Sequence, residues 1–323
     1  MEMLQYCKLG FPDKRQVRIV SHVQLWRHRA PQESLYLWLF LWLMVPSVVG
    51  QQPNVPPLRI IAIFAHPDDG EAKMGGAAAM WAASGHHVKF VSLTNGDAGH
   101  HEMGGGPLAS RRRMEAQEAA RRLGIEAYTV LDYPDAQLVP TLEARHDVIR
   151  EIRAWQADIV IGLRNNDYHP DHRNAGQLVM DAAYLVVVPN VVTDVPPLAQ
   201  NPVFLYMQDG FQRPYPFQHD IVVDVTAHLD QKVDALDAHA SQFYEWLPWV
   251  DGNLQDIPAS AQARRAYLDE RWRSRTLSAS QRAALERLYG SDTAQAVVHA
   301  ESFEIAEYGR RPSQQLINQL LGR

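Results

Sequence analysis

The chain has 323 residues, which suits one large domain or one domain with appendages and is enough to bury a substantial core. Its contents of 46% hydrophobic and 21% charged residues are ordinary for a soluble globular protein. The formal charge is −6, of which residues 1–50 contribute +3 and the rest of the chain −9. Nucleic-acid binding is therefore disfavoured, because it needs a basic face.

The N-terminal segment resembles a secretory signal peptide. The apolar run Leu35–Val49 follows two arginines within residues 27–29 and precedes Gly50. A membrane span needs roughly 20 apolar residues, so this run is short for one, although an uncleaved signal anchor stays the alternative. We therefore predict a protein exported to the periplasm or the extracellular space, which contacts a membrane only if this segment is retained. The proline-containing residues 51–57 are predicted to be a linker.

The body alternates short apolar runs with helical patterns, which predicts an α/β fold with a mostly parallel sheet and helices on both faces. Such a sheet binds its ligands at the carboxyl ends of its strands. After about residue 189 the pattern becomes a smaller mixed region, with a long helix expected over 227–243. The predicted strands are 58–65, 88–93, 128–131, 159–162, 203–207 and 220–225, and the other predicted helices are 72–84, 109–123, 142–155 and 172–185.

Two clusters of potential metal ligands follow predicted strands. Residues 65–71 read AHPDDGE after the first strand, and residues 167–172 read DYHPDH after the fourth. The single cysteine, Cys7, lies outside the body, so a metal there must be held by His, Asp or Glu. A catalytic zinc has three such ligands and one open position. Either cluster alone is a weak signal, but both together, each after a buried-strand pattern, indicate a metal site.

The motifs HPDD and HPDH, with TNGDAG at 94–99 and RRRMEAQEAARRLG at 111–124, resemble the LmbE/PIG-L family of zinc-dependent N-deacetylases. The segment from Lys232 to Gln242 and the stretch AESFE at 300–304 are also similar to that family. The likeness covers 58–308 and leaves 309–323 as a C-terminal tail. It implies a Rossmann-like sheet and hydrolysis of N-acetyl groups. It implies no dinucleotide, since the first strand is not followed by GxGxxG.

The resemblance also implies roles for individual residues in metal binding and proton transfer. His66, Asp69 and His172 match the ligands of one divalent ion. Zn2+ is the first candidate for this ion, although such a donor set accepts other divalent metals. Asp68 matches the general base that activates the attacking water.

Four further residues match positions around the substrate. His169 matches the histidine that stabilises the tetrahedral intermediate, and Asp171 the carboxylate that orients it. Arg112 and Asp135 match substrate-binding positions. Some family members have a catalytic tyrosine two residues before the HPDH histidine, whereas this chain has an aspartate there and Tyr168 one place later.

Aromatic and histidine side chains outside these motifs permit two interpretations each. His100 and His101 are interpreted first as an exposed loop pair, with contact to substrate or a second metal as the alternative. Tyr244, Trp246 and Trp249 could form a surface for stacking sugars or could pack on the preceding helix.

The resulting functional hypothesis is a hydrolase that removes an N-acyl group from an amino sugar or a related small amide. Acetyl is the first candidate for this acyl group. An amidase of a thiol conjugate or of an acylated secondary metabolite is one alternative. A sugar-binding protein without turnover is another, although the complete set of motif residues argues against it. The sequence leaves the oligomeric state open.

Overall fold

The computed structural model of the protein describes residues 56–323. The predicted signal segment and nearly all of the predicted linker lie outside the described residues, and both stay predictions. Within residues 56–323, no helix combines the length and the apolar character needed to cross a membrane.

Seven strands form one sheet, and their order confirms the predicted mostly parallel α/β fold. From one edge to the other the order is β3-β2-β1-β4-β5-β7-β6. Strands β1 to β5 pair in parallel, whereas β7 runs antiparallel to both of its neighbours. The strands are β1 Arg59–Phe64, β2 His87–Thr94, β3 Ala127–Tyr133, β4 Ile159–Gly162, β5 Val203–Met207, β6 Ile221–Asp224 and β7 Ala300–Gly309.

The centre of the sheet is buried on both faces, with helices around it. In β1 the residues from Ile60 to Phe64 are inaccessible to solvent, as expected of a continuous apolar run covered from two sides. The helices are α1 Asp69–Ala83, α2 Gly105–Leu123, α3 Leu142–Ala154, α4 Pro170–Leu185, α5 Leu229–Ala238, α6 Leu247–Asp251, α7 Ala261–Arg273, α8 Ala279–Tyr289, α9 Ser291–Ala296 and α10 Gln314–Leu320.

One helix predicted for the C-terminal region differs in the structure. The single helix expected over 227–243 is broken at His239, and a π-helical turn, Ser241–Trp246, follows the break. His239 is fully buried and its Nε2 lies 3.0 Å from Glu71 Oε1, so a tertiary contact replaces the helical continuation. The predicted tail contains α10, and Trp81 Nε1 donates a hydrogen bond of 2.9 Å to Leu320 O within it. The residues after 308 therefore pack against the core.

Candidate active site

The two ligand clusters meet at the carboxyl edge of the sheet because the strands that precede them are neighbours. Strand β1 leads into residues 66–69, β4 leads towards residues 167–172, and the two strands pair in parallel. His66 Nδ1 lies 3.2 Å from His172 Nε2, although 106 positions separate the two residues in the chain. The parallel pairing thus brings together the residues that the motifs suggested.

Donor atoms of His66, Asp69 and His172 lie within 4 Å of one another in pairs, and the two contacts of Asp69 use different oxygens. Asp69 Oδ2 lies 3.8 Å from His66 Nδ1, and Asp69 Oδ1 lies 3.3 Å from His172 Nε2. A tetrahedral ion with bonds of about 2.0–2.1 Å separates its ligand atoms by roughly 3.3 Å. All three residues are more than nine-tenths buried. Two nitrogens and a carboxylate at these distances fit a divalent metal cation.

The carboxylates around His66 favour a positive charge on its ring or at its side. On its other side, His66 Nε2 lies 3.0 Å from Asp135 Oδ1 and 3.4 Å from Asp171 Oδ2, although neither oxygen has hydrogen-bond geometry. Burial opposes protonation of the ring, but these carboxylates and Asp69 outweigh it and raise the pKa of His66 to about 10. A divalent cation would take the place of that proton, since ligand histidines bind metals in the neutral form.

Other groups of donors also surround His66. His169 with His172 forms one such set, and Asp135 with Asp171 forms another. In the set with Asp69, which is the set that the family resemblance implies, the two carboxylates stay on the far side of the His66 ring, and this choice of ligands stays a prediction. Ligand histidines commonly have a carboxylate at the nitrogen that does not bind the metal.

Asp167 provides such a carboxylate for His172, and sequence reasoning missed it. Its Oδ1 lies 3.0 Å from His172 Nδ1 and accepts a hydrogen bond of 3.0 Å from the His169 amide. Burial favours the neutral acid, but the hydrogen bond with His172 lowers the pKa of Asp167 to about 2. The sequence shows that Asp167 lies two residues before the HPDH motif, but it does not show that the Asp167 carboxylate contacts the His172 ring.

Asp68 lies beside the predicted ligands and is not one of them. Its backbone has φ 151° and ψ −21°, a combination that non-glycine residues rarely adopt and that is typical of functional sites. Asp68 Oδ2 lies 3.4 Å from Arg112 Nη2. Burial raises the pKa of Asp68 to about 6, against the opposing charge of Arg112. A carboxylate with a pKa near neutrality suits a general base.

His169 is placed to donate a hydrogen bond. It precedes α4, and its Nδ1 accepts a hydrogen bond of 3.2 Å from the Asp171 amide, which assigns the proton of the neutral ring to Nε2. Burial and the neighbouring imidazoles of His66 and His172 lower the pKa of His169 and keep it neutral.

The group of Asp171 that bonds to His169 is its backbone amide, and orientation of His169 by the Asp171 carboxylate stays a prediction. The Asp171 carboxylate accepts hydrogen bonds of 2.7 Å and 3.2 Å from the amides of Ala136 and Leu138. It thereby holds the loop that carries Asp135 against the site.

Arg112 lies beneath the site and is only 2% exposed. It donates hydrogen bonds to Gly96 O at 3.2 Å and to Pro67 O at 3.0 Å, and its Nη1 lies 3.8 Å from Asp135 Oδ2. Gly96 has φ +72°, and a Cβ there would lie 2.6 Å from the guanidinium, which explains the glycine of the TNGDAG loop. Contact of Arg112 and of the 5% exposed Asp135 with substrate stays a prediction.

The aromatic residues singled out by sequence have different surroundings. Tyr168 is 37% exposed, and its ring centroid lies 5.8 Å from that of His169 and 5.6 Å from that of His172, so it borders the site. Tyr244 is buried and donates a hydrogen bond of 2.6 Å to Asp237 Oδ1, which makes it part of the packing.

Comparison with known proteins identifies the family. Residues 61–183 match the PIG-L family, described as GlcNAc-PI de-N-acetylase. The chain is 30% identical over 203 residues to a diacetylchitobiose deacetylase of Thermococcus kodakarensis, an alignment that covers 59% of this chain and 73% of that protein. The chain belongs to the PIG-L family.

Solved structures agree on the fold. N,N'-diacetylchitobiose deacetylase from Pyrococcus horikoshii, complexed with its inhibitor MPG, has a TM-score of 0.56 at 25% identity, over 76% of this chain and 83% of that one. GalB, a 4-carboxy-2-hydroxymuconate hydratase from Pseudomonas putida KT2440, has a TM-score of 0.58 at 20% identity, over 79% and 98%. A hydratase therefore shares the fold with this PIG-L member, so the fold alone does not determine the reaction.

Proposed function

We propose that this PIG-L protein is a metal-dependent hydrolase that removes the N-acetyl group of an amino sugar. The observation that carries the proposal is the meeting of three metal donors with a separate carboxylate and a neutral imidazole. His66, Asp69 and His172 provide the donors, Asp68 the carboxylate and His169 the imidazole. The relative from Thermococcus kodakarensis and the structure from Pyrococcus horikoshii, both named as diacetylchitobiose deacetylases, support this class of substrate.

The donor set suits zinc, the metal for which two histidines and one carboxylate are a common catalytic combination. When bound, such an ion polarises the amide carbonyl and makes water more acidic. Asp68 takes a proton from the attacking water and returns it to the amine nitrogen as the C–N bond breaks. His169 donates from Nε2 to the oxygen that becomes negatively charged in the tetrahedral intermediate. Arg112 holds the Asp68 carboxylate in place for both transfers.

A measurement of acetate release distinguishes this function from the alternative functions. Protein loaded with zinc is incubated with a panel of N-acetylated amino sugars, including N-acetylglucosamine and N,N'-diacetylchitobiose, and free acetate is measured. We expect acetate from at least one member, and Asp68→Asn protein should release far less. Binding of a sugar without acetate release would identify a sugar-binding protein instead. Release only from an acylated thiol conjugate or secondary metabolite would support the alternative amidases.

We also propose that the protein acts outside the cytoplasm. The support is the apolar run Leu35–Val49 with its basic flank, a pattern typical of secretory signal peptides. N-terminal sequencing of protein from separated membrane, secreted and cytosolic fractions tests it. A mature chain that begins near Gln51 is expected, and an intact N-terminus found only in the cytosol would contradict export.

A further inference from the structure

A buried pair joins the first turn of α1 to the residue that follows α5. His239 Nε2 lies 3.0 Å from Glu71 Oε1, and neither side chain is accessible to solvent. Burial opposes protonation of the His239 ring, but the charge of Glu71 outweighs it and raises the pKa of His239. Within residues 56–323, His239 Nδ1 and Glu71 Oε2 have no hydrogen-bond partner. A buried pair that is bonded at only one atom of each partner stabilises a fold poorly, which points to a role beyond stability.

Glu71 lies in the same helical turn as Asp68, the proposed general base. Asp68 is the N-cap of α1, and its carbonyl oxygen accepts a hydrogen bond of 3.0 Å from the Ala72 amide. In a capping box the N-cap side chain bonds to the first turn, and a glutamate three residues later bonds back to the N-cap amide. Here Glu71 bonds to His239, and the Asp68 side chain caps nothing. The Asp68 carboxylate is therefore free to lie 3.4 Å from Arg112 Nη2.

The backbone of this turn also packs closely on the sheet. A Cβ at Gly70 would lie 2.5 Å from Cε1 of Phe64 and 2.8 Å from Cε2 of Phe90, so the two rings confine the turn. A residue in a sparsely populated backbone region persists only where its surroundings fix it, and Asp68 with φ 151° is such a residue. The two rings and the bond between Glu71 and His239 are the surroundings that fix this turn.

The segment that carries His239 is itself anchored to the candidate active site. Ser241 Oγ donates a hydrogen bond of 2.5 Å to Glu115 Oε2 on α2, and Gln242 Nε2 donates one of 3.0 Å to Gly99 O. Ser241 and Gln242 are both buried. His239 therefore presents its ring to Glu71 from a fixed position.

We propose that His239 is a positioning residue for the deacetylation, which acts through its bond to Glu71 and holds Asp68 in the backbone conformation that the general base requires. This inference rests on the proposed function and specifies how its general base is held. Asp69 is held separately, because its Oδ2 accepts a hydrogen bond of 2.9 Å from the His66 amide. Loss of the pair should therefore impair proton transfer by Asp68 and leave metal binding by Asp69 largely intact.

A double variant tests this role without leaving a buried charge unpaired. Glu71→Leu combined with His239→Leu replaces both partners by apolar side chains, which proteins tolerate better than the loss of one partner. We expect kcat for acetate release to fall about 10²-fold, with KM and zinc content close to those of wild type. Trp81→Phe is the matched control, because it removes a buried hydrogen bond near the other end of α1 and should leave kcat unchanged.

Two single substitutions of His239 give a second comparison that changes less of the core. The amide nitrogen of His239→Gln can take the place of Nε2, so this variant should keep most of kcat. The side chain of His239→Asn is one carbon shorter and does not reach Glu71, so this variant should lose activity as the double variant does. Equal kcat in the two single variants would overturn the proposal, even if the double variant does not fold.

A crystal structure of the His239→Asn variant gives a result that does not depend on turnover. We expect the φ of Asp68 to depart from 151° and its contact with Arg112 to be lost. An unchanged Asp68, or a loss of zinc in proportion to the loss of kcat, would overturn the positioning role. If Asp68 moves in the variant but wild-type protein releases no acetate from the panel of sugars, the proposed function fails and the structural role of His239 stands.

Discussion

Lys232 Nζ lies 2.5 Å from Glu301 Oε1, and this buried pair lies at a break in the helix that carries Asp69, a predicted metal ligand. Met74, with φ −146°, interrupts α1. The Glu301 carboxylate accepts hydrogen bonds of 3.2 and 2.7 Å from the amides of residues 76 and 77, and Lys232 Nζ donates one of 2.9 Å to Ala72 O. The pair therefore satisfies backbone groups that the break would leave without partners.

Glu301→Gln is expected to destabilise the protein by about 3–5 kcal/mol, because it leaves the Lys232 ammonium buried without a counter-charge. Urea denaturation followed by circular dichroism measures the change. Glu118→Gln is the control: Glu118 pairs with Arg121 on the surface, and the denaturation midpoint should hardly move. A Glu301→Gln midpoint equal to that of wild type would show that the buried pair contributes little.

Asp167→Ala should weaken metal binding although Asp167 is not one of the proposed ligands. The change removes the partner of His172 Nδ1, and loss of such an orienting group typically lowers affinity about 10–100-fold. Competition with a chromophoric chelator measures the zinc affinity. Asp167→Asn keeps an oxygen that can accept from Nδ1 and should lose less. Asp194→Ala, which removes an exposed carboxylate bound to Arg150, should have no effect. Unchanged affinity in Asp167→Ala would contradict this role.

Arg112→Gln should lower kcat by roughly 10²-fold and change KM little, since its buried guanidinium holds Asp68 and the loop at Gly96. Steady-state kinetics on the best substrate of the panel separates the two parameters. Arg113→Gln, at the next position and more than one-third exposed, is the matched control and should behave as wild type. The opposite pattern, a raised KM at constant kcat, would instead support the direct substrate contact that the family resemblance implies.

The sequence predicted those parts of the structure that depend on short-range patterns. The continuous apolar run of β1 and the residues that follow it indicated both a buried strand and a ligand cluster at its end. The break at Met74 was not predictable, because the backbone amides beside it bond to Glu301, which lies 225 residues from Gly76 in the chain. The role of Asp167 was missed for a related reason, since it depends on the orientation of the His172 ring.

Asp68 and Asp69 are adjacent, yet their carboxylates have different partners. Asp69 Oδ2 accepts a hydrogen bond of 2.9 Å from the His66 amide, and its Oδ1 lies 3.3 Å from His172 Nε2. Asp68, with its unusual φ of 151°, places its carboxylate 3.4 Å from Arg112. The positive φ of Asp68 accompanies this divergence, which suits the proposed roles of Asp69 as a metal ligand and of Asp68 as the group that transfers protons.

Substitution of the two residues should therefore have separable effects. Asp68→Asn is expected to keep its zinc, measured by elemental analysis, and to lose about 10²–10⁴-fold in kcat, or about 3–5 kcal/mol of transition-state stabilisation. Asp69→Asn should lose zinc affinity, and added zinc should restore part of its activity. Loss of metal from the Asp68 variant with retention in the Asp69 variant would reverse the two roles. Full activity of Asp68→Asn would refute the mechanism even if the metal site is correct.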